Sequence, residues 1–123
     1  WGYAPEYVEG MWKMLQQNKP DDYVLATGKA YSIKDFIIKS FNSLDIEIKW
    51  EGRGLKEFGY DTKTNKKIIC INKKFYRPSE VNFLKGSYNK AKKELGWEPK
   101  TNLDKLIKIM IKHDYNEHRK LKG

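Results

Sequence analysis

At 123 residues, with 39% hydrophobic and 14% aromatic side chains, the chain is long enough for one domain with a core and is not a disordered polypeptide. It has no apolar run near the roughly 18–20 residues of a membrane span, and its one cysteine excludes an internal disulfide framework and a cysteine-based zinc site. The net charge of +9 invites a nucleic-acid interpretation, but only three of the 25 cations are arginines and the lysines are scattered, which favours a solvated lysine-rich surface.

The first third of the chain predicts a helix, a strand and a second helix. Residues 23–26 are apolar and end at a Thr-Gly pair, which predicts a short strand. Ser32, with Asp35 three residues later, resembles a capping box and predicts the start of the second helix. The first helix, over residues 5–17, has one apolar face at helical spacing, formed by Val8, Met11, Trp12 and Leu15.

The middle of the chain predicts two strands joined by a long loop. Residues 46–50 alternate apolar and polar side chains, as a half-buried strand does. Residues 51–67 are rich in glycine and turn-forming residues, which indicates a loop. The β-branched run at residues 68–71 predicts a strand buried on both faces. Cys70 lies in that run and is therefore predicted to be a buried, unreactive thiol.

Two further helices are expected before the C-terminus. Ser87 predicts the cap of a helix that runs to about Leu95 and stops at Gly96. Thr101 resembles the start of another capping box, ahead of a last helix that frays into a charged tail, residues 115–123. The fold class is therefore α/β, with helices flanking short strands. Three strands and four helices are few for an autonomous domain, which suggests part of a larger protein.

Motifs for catalysis and for metal binding are missing. The sequence has no Gly-x-x-Gly-x-x-Gly, P-loop or Gly-x-Ser-x-Gly. His113 and His118 are five residues apart, which places them on different sides of a helix and makes them poor metal ligands. Tyr3, Glu6 and Tyr7 could form an acid–base group, but packing explains them more simply. The sequence thus predicts no catalytic residue, no cofactor-binding residue and no metal site in this chain.

Two arginines are candidate phosphate ligands. Arg53 lies between two glycines, which permit close approach of the backbone to a ligand. Arg77 is held by Pro78, with Glu80 three residues further on. A guanidinium fits the oxygens of a diphosphate, and a carboxylate can accept hydrogen bonds from a ribose diol. The alternatives are a salt bridge between Arg77 and Glu80, or an arginine lying on an aromatic ring.

Several longer motifs resemble one family. The sequence from Trp1 to about Asp114 resembles the GDP-mannose 4,6-dehydratases, which are extended short-chain dehydrogenase/reductases. The motifs are Trp-Gly-Tyr-Ala at residues 1–4, Asp-Tyr-Val-Leu-Ala-Thr-Gly at 22–28, Trp-Glu-Gly at 50–52, Gly-Tyr-Asp at 59–61, Phe-Tyr-Arg-Pro-Ser-Glu-Val at 75–81 and Leu-Gly-Trp at 95–97.

The resemblance implies the C-terminal, substrate-binding portion of such an enzyme, over residues 1–114. Arg77 would clamp the diphosphate of GDP-mannose, Glu80 would hold the ribose hydroxyls, and Arg53 would lie on the substrate side. The family converts GDP-mannose to GDP-4-keto-6-deoxymannose with NADP, which an N-terminal Rossmann domain holds. The family's catalytic residues lie upstream of Trp1, so this portion alone would be inactive. The resemblance further implies a cytoplasmic homo-oligomer, a dimer or tetramer.

Two other interpretations stay open at this point. One is a lysine-rich, non-enzymatic module that binds nucleic acid, which would show a steep fall in affinity as salt rises. The other is a separately encoded half of a split enzyme, which would recover activity when it is mixed with its N-terminal partner.

Overall fold

A computed structural model describes residues 1–77 and 83–121, and the chain divides into two compact units. The first unit comprises Trp1–Tyr31 and Phe83–Gly123, and the second is the inserted segment Ser32–Asn82. The mixed α/β class is confirmed. The first unit contains helices α1 (Ala4–Leu15), α3 (Asn89–Leu95) and α4 (Leu103–Lys120); the second contains helix α2 (Ile33–Asn42) and strands β1 (Ile48–Glu51), β2 (Phe58–Asp61) and β3 (Lys67–Cys70).

Trp97 is the centre of the first unit's core. Its side chain is 1% exposed, and its indole N–H donates to the backbone carbonyl of Glu6 at 2.6 Å. The rings of Tyr7 and Tyr88 meet it edge to face, at centroid distances of 5.6 and 6.4 Å. Gly10 of α1 is buried, and a Cβ there would lie 2.6 Å from Leu25 Cδ1 and 3.0 Å from the indole nitrogen. A larger residue at this position would therefore crowd both Leu25 and Trp97.

The apolar face predicted for α1 is not buried within the part of the chain that the structure describes. Its four residues, Val8, Met11, Trp12 and Leu15, are between 56% and 82% exposed. The neighbouring face, with Tyr7 and Gly10, packs on Trp97 instead. The helix prediction is confirmed. The periodicity showed that this face is apolar, but it did not show what covers it.

The strand predicted at residues 23–26 does not form among the described residues. These residues pair with no strand there, although Tyr23 and Leu25 pack against the Trp97 core. The apolar side chains of residues 23–26 are typical of a strand, but a strand also needs hydrogen bonds to a neighbouring strand.

Two of the predicted helix caps are shifted by one residue, from Ser87 to Tyr88 and from Thr101 to Asn102. Helix α3 begins at Asn89, whose N–H donates to the Ser87 hydroxyl at 3.4 Å, and it ends as predicted at Gly96, with a φ of 62°. Helix α4 is capped by Asn102 rather than Thr101.

Helix α4 continues through the charged residues to Lys120, past the expected fraying point. Its buried residues are Leu103, Leu106 and Ile107. No helix in residues 1–77 or 83–121 is long and apolar enough to cross a membrane.

The second unit is a three-stranded antiparallel sheet in the order β1-β2-β3, with α2 beside β1. The capping box at the start of α2 is confirmed: the Ser32 hydroxyl accepts from the Asp35 N–H, and the Asp35 carboxylate accepts from the Ser32 N–H, both at 3.0 Å. Strand β2 is the central strand, and it lies within the segment that the sequence predicted to be loop. That prediction is wrong for residues 58–61.

Strand β3 has one solvent-facing side, so the prediction of burial on both faces is wrong. Ile68 is 42% exposed, and Cys70 is an exposed free thiol rather than a buried one. An antiparallel sheet can leave one face in water, whereas the β-branched run had indicated a sheet covered on both sides.

Candidate functional site

Arg53 lies in the tight connection between β1 and β2. The flanking residues Gly52 and Gly54 have φ values of +83° and +56°, in the left-handed region. A Cβ on Gly52 would lie 2.5 Å from the backbone oxygen of Lys56, so only glycine allows this turn. Arg53 is therefore exposed on a short turn whose backbone conformation depends on the two glycines.

Arg77 follows β3 after a 3₁₀ turn, Lys73–Phe75. Asn72 begins that turn, and its side-chain oxygen accepts from the Lys74 N–H at 2.9 Å. Arg77 is exposed, and Tyr76 before it is extended, with φ −70° and ψ 128°. Pro78 and Glu80 lie outside the described residues, so the pairing of Glu80 with Arg77 stays a prediction.

The sheet register shows that the strands before the two arginines end at the same edge of the sheet. Glu51, the last residue of β1, is opposite Phe58, and Phe58 is also opposite Cys70, the last residue of β3. Because both pairings are antiparallel, β1 and β3 run in the same direction and finish in the same row. Two strand spacings separate their ends by about 10 Å. Arg53 and Arg77 therefore follow strands that end in the same row, with β2 between them.

Three lysines that sequence reasoning missed belong to the same connections. Lys56 lies in the 3₁₀ turn after Arg53, and Lys73 and Lys74 lie in the turn before Arg77. All three are exposed. The signal that could have found them is strand β2: once residues 58–61 are a strand, both turns are placed at one end of the sheet. We call the five cations of these two turns the cationic sheet end: Arg53, Lys56, Lys73, Lys74 and Arg77.

Two carboxylates of the described residues in this sheet, Glu57 and Glu51, have their own partners. Glu57 pairs with Lys34 of α2 at 2.6 Å, and the Lys34 ammonium also lies 5.0 Å from the Trp50 ring centroid. Desolvation of Tyr60 and its hydrogen bond to Glu51 raise the pKa of the Tyr60 phenol. The arrangement is suited to bind an anion with two or more charged oxygens.

The described residues contain neither a glycine-rich loop at a helix start nor a cluster of metal-ligating side chains. The α-helices begin after Tyr3, Ser32, Tyr88 and Asn102, so none opens from the glycine-rich loop that cradles a pyrophosphate. Residues 1–77 and 83–121 also contain no group of three or more histidine, cysteine or acidic side chains placed to hold a metal.

Comparison with known proteins identifies the family. The sequence model described as GDP-mannose 4,6 dehydratase matches residues 1–110. This chain is a member of the GDP-mannose 4,6-dehydratase family. It is 52% identical over 114 residues to the GDP-mannose 4,6 dehydratase of Dictyostelium discoideum, 43% identical to that of Homo sapiens and 41% identical to that of Sinorhizobium fredii.

The chain corresponds to the C-terminal portion of these dehydratases. Each of the three matches covers 93% of this chain but only 31–32% of the relative. The chain thus spans about a third of the length of the curated relatives that it matches.

Proposed function

We propose that this chain is the substrate-binding portion of a dehydratase that converts GDP-mannose to GDP-4-keto-6-deoxymannose. Membership of the family supports the reaction. The observation that supports the role of this portion is the sheet register, in which the strands before Arg53 and Arg77 end in the same row. A diphosphate has two neighbouring anionic groups that the cations at that end of the sheet could bind.

The proposed binding roles follow from side-chain chemistry. The Arg77 guanidinium donates parallel hydrogen bonds to diphosphate oxygens, and Arg53 approaches the same anion from the adjacent turn. Glu80 accepts hydrogen bonds from the ribose hydroxyls. The three lysines of the cationic sheet end attract the anion but fix no geometry, because each is a flexible point charge. In this portion, binding and orientation of the substrate are the contribution to catalysis.

Cofactor binding and the chemical step belong to the preceding portion of the dehydratase. When bound there, NADP supplies temporary storage of a hydride. We therefore expect this chain alone to be inactive. From the family, we expect the whole enzyme to be a cytoplasmic dimer or tetramer.

A joined dehydratase tests the arginine clamp. It consists of the part of the Dictyostelium relative that precedes its match, followed by this chain. In that protein Arg77→Ala should raise the KM for GDP-mannose about tenfold or more, because one charge-assisted pair is worth roughly 1.5–3 kcal/mol. The kcat should change less, since the clamp binds ground state and transition state alike.

Arg119→Ala is the matched control, because it removes an arginine that lies on α4, outside the cationic sheet end. An unchanged KM in Arg77→Ala, or an equal rise in both variants, would show that Arg77 is not the diphosphate ligand.

The nucleic-acid alternative makes a different prediction for this chain by itself. A titration with GDP and with single-stranded DNA at two salt concentrations separates the two functions. The dehydratase portion should prefer GDP, whereas a lysine-rich binding module should prefer DNA and lose affinity steeply as salt rises.

A further inference from the structure

The exposed side of helix α4 carries a row of cations. Each residue of an α-helix turns by about 100° around the axis, so positions 105, 108, 112 and 119 fall within an arc of about 60°. The row extends along the axis for about 21 Å. All of its side chains are exposed, and we call them the α4 basic stripe: Lys105, Lys108, Lys112 and Arg119. Lysines that are scattered in the sequence are thus gathered on one face by the helix.

The buried side of α4 determines the direction of the stripe. The buried residues lie on average about 180° from it around the axis: Leu103, Leu106 and Ile107. Asp114 and Glu117 lie on the same side as these buried residues, and Glu117 pairs with Lys120 at 2.7 Å. The stripe therefore faces away from the core of the first unit, and these two acidic residues lie on the opposite side of the helix.

The stripe extends past the part of the helix that family membership explains. The family model matches residues 1–110, whereas Lys112 and Arg119 come after that match. The buried residues of α4 end at Ile107. Among the described residues, the second half of the stripe therefore adds nothing to the core of its unit, and its charges can face a partner.

The shape of the stripe fits a flat anionic surface better than a nucleic acid. A helix in the major groove lies between two phosphate backbones and needs cations on both of its flanks. The stripe is one narrow line, and Asp104 lies beside it in the first turn of the helix. Three of its four cations are lysines, which are flexible point charges without the fixed fork that reads a base or clamps a phosphate.

Tyr115 lies beside the stripe and supports the same choice of partner. Its side chain is 54% exposed, and the Arg119 guanidinium carbon lies 5.9 Å from its ring centroid. Stacking of a base requires an open ring face, whereas one face of this ring is engaged by a cation. A tyrosine ring with a polar end next to basic residues is typical of the interface between lipid and water.

We propose that the α4 basic stripe binds the anionic surface of a lipid bilayer, an interaction that goes beyond the proposed function. With α4 parallel to the bilayer, the whole stripe reaches the same plane of headgroups. Each cation near such a surface contributes roughly fivefold in affinity, and the net charge of +9 adds attraction at longer range. The binding is peripheral, because the stripe has no apolar side chain to insert into hydrocarbon.

Co-sedimentation of the 123-residue chain with vesicles tests the proposal. The chain should bind phosphatidylcholine vesicles that contain about 30% phosphatidylserine at about 0.05 M salt, and it should be released at about 0.3 M salt. Vesicles of phosphatidylcholine alone should not bind it. Replacing all four stripe residues by glutamine should weaken binding about tenfold or more.

A matched control variant removes the same number of positive charges from the first unit outside the stripe. It should weaken binding less than about threefold, because it changes only the long-range attraction. The control replaces four exposed lysines by glutamine: Lys19, Lys29, Lys93 and Lys100.

Lysine acetylation followed by mass spectrometry gives a second measurement without any substitution. Anionic vesicles should slow the acetylation of the three stripe lysines about threefold or more and leave Lys19 and Lys93 unchanged. This measurement decides the question if circular dichroism shows that the stripe variant does not fold.

Weaker binding in the stripe variant alone, or protection confined to the stripe lysines, would support the proposal. Equal losses in the two variants would overturn it, since net charge would then explain the binding. Absence of binding, or equal binding to both kinds of vesicle, would also overturn it. Tighter binding to duplex DNA than to anionic vesicles, lost in the stripe variant, would identify a nucleic acid as the partner and reject the bilayer. None of these outcomes depends on conversion of GDP-mannose, so the proposed function is tested separately.

Discussion

At the scale of single residues, Glu6 connects α1 to the chain ahead of α4. One carboxylate oxygen accepts from the Thr101 hydroxyl at 2.7 Å, and the other accepts from the N–H groups of Lys100 and Thr101 at 3.2 and 3.4 Å. The backbone carbonyl of Glu6 also accepts from Trp97. Thr101 is 6% exposed, so its hydroxyl has little access to water and depends on this carboxylate.

We expect Glu6→Ala to lower the free energy of unfolding by about 1–3 kcal/mol, because a buried hydroxyl loses its charged acceptor. Urea denaturation of the chain, followed by circular dichroism, measures the change. Glu9→Ala is the control: its carboxylate makes an exposed pair with Lys13 at 3.2 Å and should cost at most about 0.5 kcal/mol. Equal losses in the two variants would contradict the assigned role.

The residues that sequence reasoning located correctly are those whose role is local. Gly96 ends a helix because it takes a left-handed conformation, and that requirement is visible in the helix it follows. Glu6 and Thr101 were not paired in advance, because their contact joins positions 95 residues apart. Cys70 was wrongly predicted to be buried, because its exposure depends on which face the sheet leaves uncovered.

At the scale of elements, α2 and β2 differ in whether the residues that determine them are close in sequence. Helix α2 begins with a capping box contained in four residues, so the sequence predicts it. Strand β2 has Gly59 at a paired position, where a Cβ would lie 3.0 Å from Ile48 Cγ2 and 3.3 Å from Ile69 Cδ1. Glycine in a sequence window indicates a turn, whereas here it is required by neighbours from two other strands.

The capping box of α2 predicts a pH dependence of stability. Hydrogen bonds from the Ser32 hydroxyl and backbone hold the pKa of Asp35 below its usual value. A carboxyl with a lowered folded-state pKa contributes stability above its unfolded-state pKa and loses it as pH falls through the folded-state pKa. The urea midpoint of Asp35→Asn should therefore fall less than that of the parent chain between about pH 6 and about pH 2.

Ser32→Ala tests the other half of the box, and it should cost about 1 kcal/mol at neutral pH. Parallel acid profiles for the parent and Asp35→Asn would show that the carboxyl does not contribute through this box.

At the scale of the whole molecule, the second unit is an insertion in the first. The backbone positions before and after it approach each other inside the first unit. A Cβ on Gly28 would lie 3.3 Å from the Tyr88 ring, and one on Gly86 would lie 2.7 Å from Ala26 Cβ. Composition and local pattern predicted the fold class, and they singled out Arg53 and Arg77 as candidate phosphate ligands. They did not predict the division into two units, because contacts between distant segments define it. The cationic sheet end depends on the same long-range pairing, so its lysines were missed.

This arrangement predicts that the second unit can be excised. Replacing residues 32–82 by a short Gly-Ser linker between Tyr31 and Phe83 should leave the first unit folded, because insertions whose ends lie close are removed at low entropic cost. The Trp97 core lies entirely in the retained segments. Near-ultraviolet circular dichroism should keep the signal of packed aromatic rings, and urea unfolding should stay cooperative. GDP binding should be lost, since Arg53 and Arg77 are removed together. An excised chain without a cooperative transition would show that the first unit's core depends on the insertion, and one that still binds GDP would place the nucleotide site outside the cationic sheet end.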